Sequence, residues 1–417
     1  MQNEVLSDSA NPLTNTSFFK LLTFRVAIVL SYQIMAVVVG WHIYTITRDP
    51  LALGLIGLAE LIPYFSCALF AGYAVDHYSR RMFGVSAAIV LALNALLLAV
   101  LSSGMFGIHA LASDASWWIY GSVAFVGIAR AFIAPSYSAL FAIILRREQY
   151  TKAASVGSTV FQFGFVIGPA LGGILIGWAG IAAAYMVATL FAVIAAVAIL
   201  TIRVDTKPAA ESSPVFSSIA EGVRFVWNNQ IILAAQALDM FAVLFGGAVA
   251  MLPVFIHDIF HYGPEGLGIL RASPAVGAIV IGIYLSKHPI SQHAGRWLLM
   301  TVAGFGMCII AFALSPNFWV AAFLLMLSGI CDGISVVLRT TIMQLMTPDN
   351  MRGRVASING LFIGSSNELG AFESGLSARL MGLIPSVIFG GLMTISVVIA
   401  TAKLAPKLRS LDLKQLH

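Results

Sequence analysis

From Ala153 to Ile202 the chain contains no Asp, Glu, Lys, Arg or His. A stretch that apolar sits in lipid or deep in a core, and in lipid the backbone must close its hydrogen bonds within a helix. One bilayer crossing takes roughly 20 apolar residues, so the stretch is long enough for two. Inside it lies GFVIGPALGG, Gly164 to Gly173, with four glycines and one proline. In a helix interior these residues cost about 1 kcal/mol per Gly and about 3 for Pro. Gly164, Gly168 and Gly172 recur every fourth residue and share one helix face, with Pro169 and Gly173 beside them. That face has almost no side chains, so a second helix can approach closely where lipid gives no hydrophobic drive for association. The proline is tolerated where neighbouring groups satisfy the freed carbonyl.

The rest of the chain has the same character. It is 59% hydrophobic and 10% charged, with a mean hydropathy of +0.92, far from a soluble balance. Twelve apolar segments are expected to span: 19–45, 51–74, 82–103, 117–144, 153–178, 180–202, 231–256, 264–286, 297–314, 317–344, 355–380 and 382–403. The leading MQNEVLSDSANPLTNTS is polar and has no basic stretch before a short apolar core. It does not read as a cleaved signal, so the first span itself directs insertion. Most of the 23 Lys and Arg fall at the two ends or in alternate loops. The opposite loops hold Arg48 and Arg379, and four arginines lie within spans, Arg25 and Arg130 among them. The positive-inside rule then places both termini in the cytoplasm. The net charge of +5 arises from this loop bias and points to no nucleic-acid partner.

The longest polar interruption, RVDTKPAAESSPVFSS from Arg203, reads as a linker, and IAEGVRFVWNNQ after it reads as a surface helix with Ile219, Val223, Val226 and Trp227 on one face. The expected organisation is a cytoplasmic tail (1–17), a six-helix bundle (18–202), a linker with surface helix (203–230), a second six-helix bundle (231–403) and a cytoplasmic tail (404–417). The halves resemble each other. VGIAR (126–130) falls on SGICD (328–332) and GPALGG on GAFESG (370–375), both at an offset of 202, while PLALGLI (50–56) matches PEGLGIL (264–270) at 214. Repeated six-helix halves with a site between them near the midplane are a transporter plan.

Several motifs resemble those of the major facilitator superfamily. GYAVDHYSRR (72–81) is similar to its motif A, with Gly72, Asp76, Arg80 and Arg81 in place, though His77 stands where the family has Arg and Ser79 where it has Gly. The second-half counterpart GIYLSKHPI (282–290) has Ser286 near the place of the acid. IARAFIAP (128–135) resembles motif B, with Arg130 as its arginine. GFVIGPALGG resembles motif C, the antiporter pattern, with Ser155 where the full pattern has glycine. DPLALGLIGLAELIP (49–63) and TPDNMRGRVASING (347–360) look like the branch holding the enterobactin exporter and macrolide efflux proteins. The resemblance implies an all-α membrane fold of two pseudo-symmetric six-helix bundles and a monomeric, proton-coupled exporter of a siderophore-like or drug-like molecule. It implies a cytoplasmic gate at motif A, a leak-limiting hinge at motif C, and a central cavity lined by the first and fourth spans of each half.

Charges within spans are expensive and mark functional or paired positions. Arg25 matches Asp239 at the offset of 214, and Arg130 matches Asp332 at 202. These four are candidates either for structural pairing across the cavity or for binding substrate or proton. Glu60, Glu368 and Glu373 are further cavity candidates, with Asp239, Asp332 and Glu60 ranked first as proton carriers. Asn359, Ser366 and Glu373, spaced by seven, form a polar stripe. His42 and His257 read as interfacial or cavity-wall residues. Cys67, Cys308 and Cys331 all lie in spans and make no disulfide framework. No P-loop, HExxH or CxxC pattern occurs, so no metal, cofactor or enzymatic activity is expected, and ATP does not drive the protein directly. The alternatives are a lipid flippase or uptake carrier on the same fold, or a non-transport membrane receptor, scaffold or membrane enzyme.

Overall fold

The computed structural model describes residues 12–103, 115–203, 215–348 and 351–415. The expected tail up to residue 11 and most of the linker, 204–214, lie outside the described residues. The described residues are nearly all helical, with no strand among them. In chain order the helices are α1 (Thr16–Thr47), α2 (Pro50–His77), α3 (Arg80–Ser102), α4 (Ala115–Ile144), α5 (Tyr150–Leu200), α6 (Val215–Asn228) and α7 (Gln230–Phe245). They continue with α8 (Pro264–Lys287), α9 (Ala294–Leu314), α10 (Phe318–Met346), α11 (Arg352–Met381) and α12 (Leu383–Leu404). Among the described residues ten helical stretches are long and apolar enough to cross a membrane. One of them holds both arms of the 51-residue α5, and α11 is excluded only by its polar residues. Counting the two arms separately and adding α11 is consistent with twelve spans.

The arms of α5 meet at Gly180, which has φ 86° and ψ 169°. Only glycine adopts that region without strain, so the chain reverses there and two spans follow each other with no loop. The chain makes the same move between α11 and α12 at Gly382, with φ 93° and ψ 160°. The two glycines are 382 − 180 = 202 apart, the repeat offset. Helix starts repeat as well. Asn15 Oδ1 accepts from the backbone N–H groups of Ser17 and Phe18 at the start of α1. Asn229 Oδ1 does the same for Ile231 and Ile232 at the start of α7, and 229 − 15 = 214. An Asn cap satisfies donors that the first turn leaves open.

The expected span 231–256 falls within one of the stretches long and apolar enough to cross, Gln230–Phe260, but its helix is interrupted: α7 ends at Phe245, and a 3-10 turn (Ala248–Met251) and a π-helical turn (Phe255–Phe260) follow. The break falls at Gly246–Gly247. A Cβ on Gly247 would stand 2.7 Å from the Gly370 carbonyl oxygen of α11. Backbone meets backbone here, and two glycines in sequence loosen the helix.

The chain divides into two compact units, Met1–Ile46 with Ile62–Ser212 and Thr47–Leu61 with Ser213–His417. The first half of α2 thus groups with the second unit. In the first unit, Ala184, Ala188, Ala192, Ala195 and Ile199 of α5 are buried, as are Ala88, Leu91, Ala95 and Leu98 of α3. Small residues at helical spacing let these two helices pack closely. The second unit closes around Leu238, Leu298, Val302, Leu338, Ile342 and Leu408. Large apolar side chains such as Leu93, Trp178, Leu190 and Leu392 point outward, as lipid-facing surfaces require. Helix α6 lies on its own unit: Val226 is buried with Ile232, Met343 and Val355, and Glu221 pairs with Arg354. Trp227 and Val223 remain exposed.

Candidate functional site

In the first unit two arginines are held by aromatic rings. The Arg25 guanidinium on α1 lies 4.1 Å from the Tyr137 ring centroid of α4 and 4.9 Å from Phe161 of α5. Its Nε is buried with no hydrogen-bond partner. Arg130 on α4 sits 5.1 Å from the Tyr32 ring and 5.2 Å from Tyr64, and its Nη1 donates to the Tyr32 hydroxyl at 3.0 Å. Aromatic faces attract a cation by about 0.5–2 kcal/mol without neutralising it. The rings hold the two guanidinium groups in place.

The glycine face of α5 packs on α1 in the same unit. A Cβ on Gly164 would lie 2.5 Å from Val29 Cγ1, one on Gly168 2.5 Å from Gln33 Cβ, and one on Gly172 3.2 Å from Val37 Cβ. Each partner advances by four, so the two helices run in register. Pro169 and Gly173 are buried beside this contact. Gly168→Val should therefore force α1 and α5 apart at a cost of about 1–3 kcal/mol, the range for overpacking. The purified variant should melt several degrees below wild type; an unchanged melting temperature would mean that the contact is loose.

The second unit carries acids. Asp239 on α7 pairs with Arg339 on α10, and both are buried. One turn earlier Gln236 Nε2 donates to Met343 Sδ at 3.5 Å, so α7 and α10 run antiparallel through a buried polar rung. Asp332, half-buried, precedes Arg339 by seven residues, which is two turns on the same face of α10. On α11, Glu373 is half-buried one turn before Ser377, while Ser366 is buried. Glu368 is half-buried and Glu60 of α2 is buried. Near them α2 and α11 touch through their backbones: a Cβ on Gly57 would stand 2.4 Å from the Glu368 carbonyl oxygen, and one on Gly54 would stand 3.1 Å from that of Ala371. At one end of this unit Arg379 pairs with Asp49 at 3.1 Å, and His257 contacts both Asp258, at 2.5 Å, and Arg48.

At the motif A segment, Arg81 Nη1 donates to the carbonyl of Ile202 at 3.0 Å, beside Lys20 Nζ, which donates to Thr201 at 3.0 Å. Both cations thus close the C-terminal end of α5, where carbonyls are left open and the helix dipole favours positive charge. Arg80 is half-buried with Nε unpartnered. Gly72 and Asp76 lie in the last turns of α2, and their side chains lie outside the described residues. His42 is buried against Tyr185, with Nδ1 3.3 Å from the hydroxyl.

Sequence reasoning gave no role to Arg339, the partner of Asp239, nor to the rings around Arg25 and Arg130. Arg339 was visible as an arginine two turns beyond Asp332. The rings carry no signal until the helices they sit on are known to be neighbours. Among the described residues no group of three or more His, Cys, Asp or Glu could hold a metal ion.

A family model described as Major Facilitator Superfamily matches residues 21–371. The chain is 26% identical to the multidrug efflux pump Tap of Mycolicibacterium fortuitum over 89% of its length and 91% of that protein's. It is 21% identical to macrolide efflux protein A of Streptococcus pyogenes, covering 95% of this chain and 98% of the other. It is 28% identical to the enterobactin exporter EntS of Salmonella choleraesuis over 52% of each. Among solved structures it superposes on a bacterial homologue of the human lysosomal transporter Spinster with a TM-score of 0.71 at 13% identity, covering 94% of this chain and 95% of that one. A POT family transporter gives 0.73 at 12%, covering 94% and 96%.

Proposed function

The chain belongs to the major facilitator superfamily, and from that premise we propose that this multi-pass membrane transporter is a proton-coupled exporter of a small organic molecule, siderophore-like or drug-like. The observation that carries the reading is Arg25: a cation on a spanning helix, held by Tyr137 and Phe161 and, among the described residues, paired with no carboxylate. Burying a charge in a span costs roughly 2.5–3.5 kcal/mol on insertion scales, and a ring-held arginine keeps its positive charge available to a substrate. Arg130, beside the Tyr32 and Tyr64 rings, is a second cation on a spanning helix. Asp239, Asp332, Glu60, Glu368 and Glu373 are the acids from which the proton carrier is drawn. The names of the relatives, a multidrug pump, a macrolide efflux protein and an enterobactin exporter, support efflux as the direction. The protein works as a monomer by alternating access in a bacterial cytoplasmic membrane, with both termini in the cytoplasm.

Motif A supplies the gate in this reading. Asp76 ends α2, with Arg80 and Arg81 following, and it holds the outward-open state. Gly164, Gly168 and Gly172 give the tight α1–α5 contact that limits leak. Everted membrane vesicles from cells making the protein test the proposal, with a macrolide and enterobactin as the probes. Acidifying the lumen should drive accumulation of at least one of them, and a protonophore should abolish it. Asp76→Asn should lower that accumulation severalfold at unchanged protein level, and Arg25→Ala should do the same. Equal probe levels with and without the gradient, or in vesicles lacking the protein, would contradict the reading.

A further inference from the structure

Cys308 on α9 and Cys331 on α10 are both free and half-buried. Their thiols are close enough to influence each other. The geometry that brings them together starts at Gly304, one turn before Cys308 on the same face of α9. The Cys331 Sγ lies 3.1 Å from where a Cβ at Gly304 would stand, so the missing side chain leaves room for that sulfur. The helices are joined by the short segment Ser315–Asn317 and run antiparallel. Every helical Cβ leans toward its own N-terminus. Cys308 therefore leans toward Gly304, away from the connecting turn, while Cys331 leans toward the turn, and the two sulfurs converge.

Both thiols are free, so their sulfurs lie farther apart than a covalent S–S bond of about 2.0 Å. Two metal–sulfur bonds, each about 2.3 Å for a zinc thiolate, bridge sulfurs that lie farther apart than such a bond. Thiol sulfur is a soft donor and selects soft ions such as Cu(I). We propose that Cys308 and Cys331 form a two-coordinate site for a soft monovalent cation of the Cu(I) or Ag(I) class, clamped between α9 and α10. On binding, one thiol loses its proton to water and bonds to the ion as a thiolate. The other stays protonated and donates a sulfur lone pair. One positive charge enters and one leaves, so the net charge within the span is unchanged, as a low-dielectric setting requires. No electron transfer is involved. The site is separate from the arginines and acids assigned to transport, though Asp332 follows Cys331 directly.

Silver nitrate in chloride-free buffer is the probe, added to the full-length protein in detergent. A maleimide then labels remaining thiols, and intact mass counts the adducts. With no silver the denatured protein should take three adducts, one for each of Cys67, Cys308 and Cys331. A single equivalent of silver should protect Cys308 and Cys331 together, leaving Cys67 to react, and should raise the melting temperature. In Cys308→Ser or Cys331→Ser the remaining partner should lose its protection and the melting shift should vanish. Cys67→Ser should change neither. Protection of all three thiols in proportion to added silver, or protection of Cys331 that survives Cys308→Ser, would overturn the proposal, as would single variants that still show the full melting shift. If either serine variant is unstable, the alanine replacement at the same position gives the same readout.

Discussion

Asp239→Leu should destabilise the purified protein by about 3–5 kcal/mol, the usual cost of stranding one member of a buried ion pair. Arg339 is 2% exposed and Asp239 7%, so water cannot solvate the survivor. Arg339→Leu should cost a similar amount. Replacing both with leucine should return stability close to wild type, because two desolvated charges are then replaced by packing. Thermal melts of all four proteins in one detergent form the cycle. The double variant also separates two roles for the pair. If it only holds α7 to α10, the double variant should transport; if Asp239 carries the proton, it should be stable and silent. Additive losses in the double variant would mean that the two side chains do not interact.

Gly329→Leu should abolish folded protein. A Cβ at Gly329 would stand 1.9 Å from the Pro274 carbonyl oxygen, and one at Gly277 2.0 Å from that of Met326. Here α8 and α10 touch backbone to backbone at two reciprocal points, and neither neighbour can swing aside as a side chain would. Gly329→Ala should be the milder case, losing about 1–3 kcal/mol as the helices part. Size-exclusion profiles after detergent extraction provide the check. A monodisperse peak for the leucine variant at wild-type yield would show that α8 and α10 can separate without loss.

The helices and the class of fold were legible because a span's hydropathy is a local property, and the stretch from Ala153 to Ile202 admits no soluble reading. The repeat was legible only in part. Gly180 and Gly382 mark the same reversal in the two halves, and Asn15 and Asn229 the same cap. In a glycine-rich chain with 37 of them, none stands out by composition. The break that follows α7 was not legible because Gly246–Gly247 looks like any glycine pair in an apolar run; its meaning comes from Gly370 on a helix more than a hundred residues away. Arg339 was missed for the same reason. Hydropathy puts a charge in a span, but only the packing of α7 against α10 decides which acid it meets. The motif A acid Asp76 remains a sequence-level assignment.

Coupling of substrate exit to proton entry is tested most directly in proteoliposomes, with no other protein present. The purified chain is reconstituted with a pH dye trapped in an acid lumen, and the probe found to move in vesicles is added outside. Antiport predicts that the probe enters as protons leave, so the lumen becomes more alkaline only when both protein and probe are present. In Gly168→Val the two fluxes should become unequal, if the α1–α5 contact limits leak. Probe entry at the same rate with no change in lumen pH, or with further acidification, would contradict proton-coupled export.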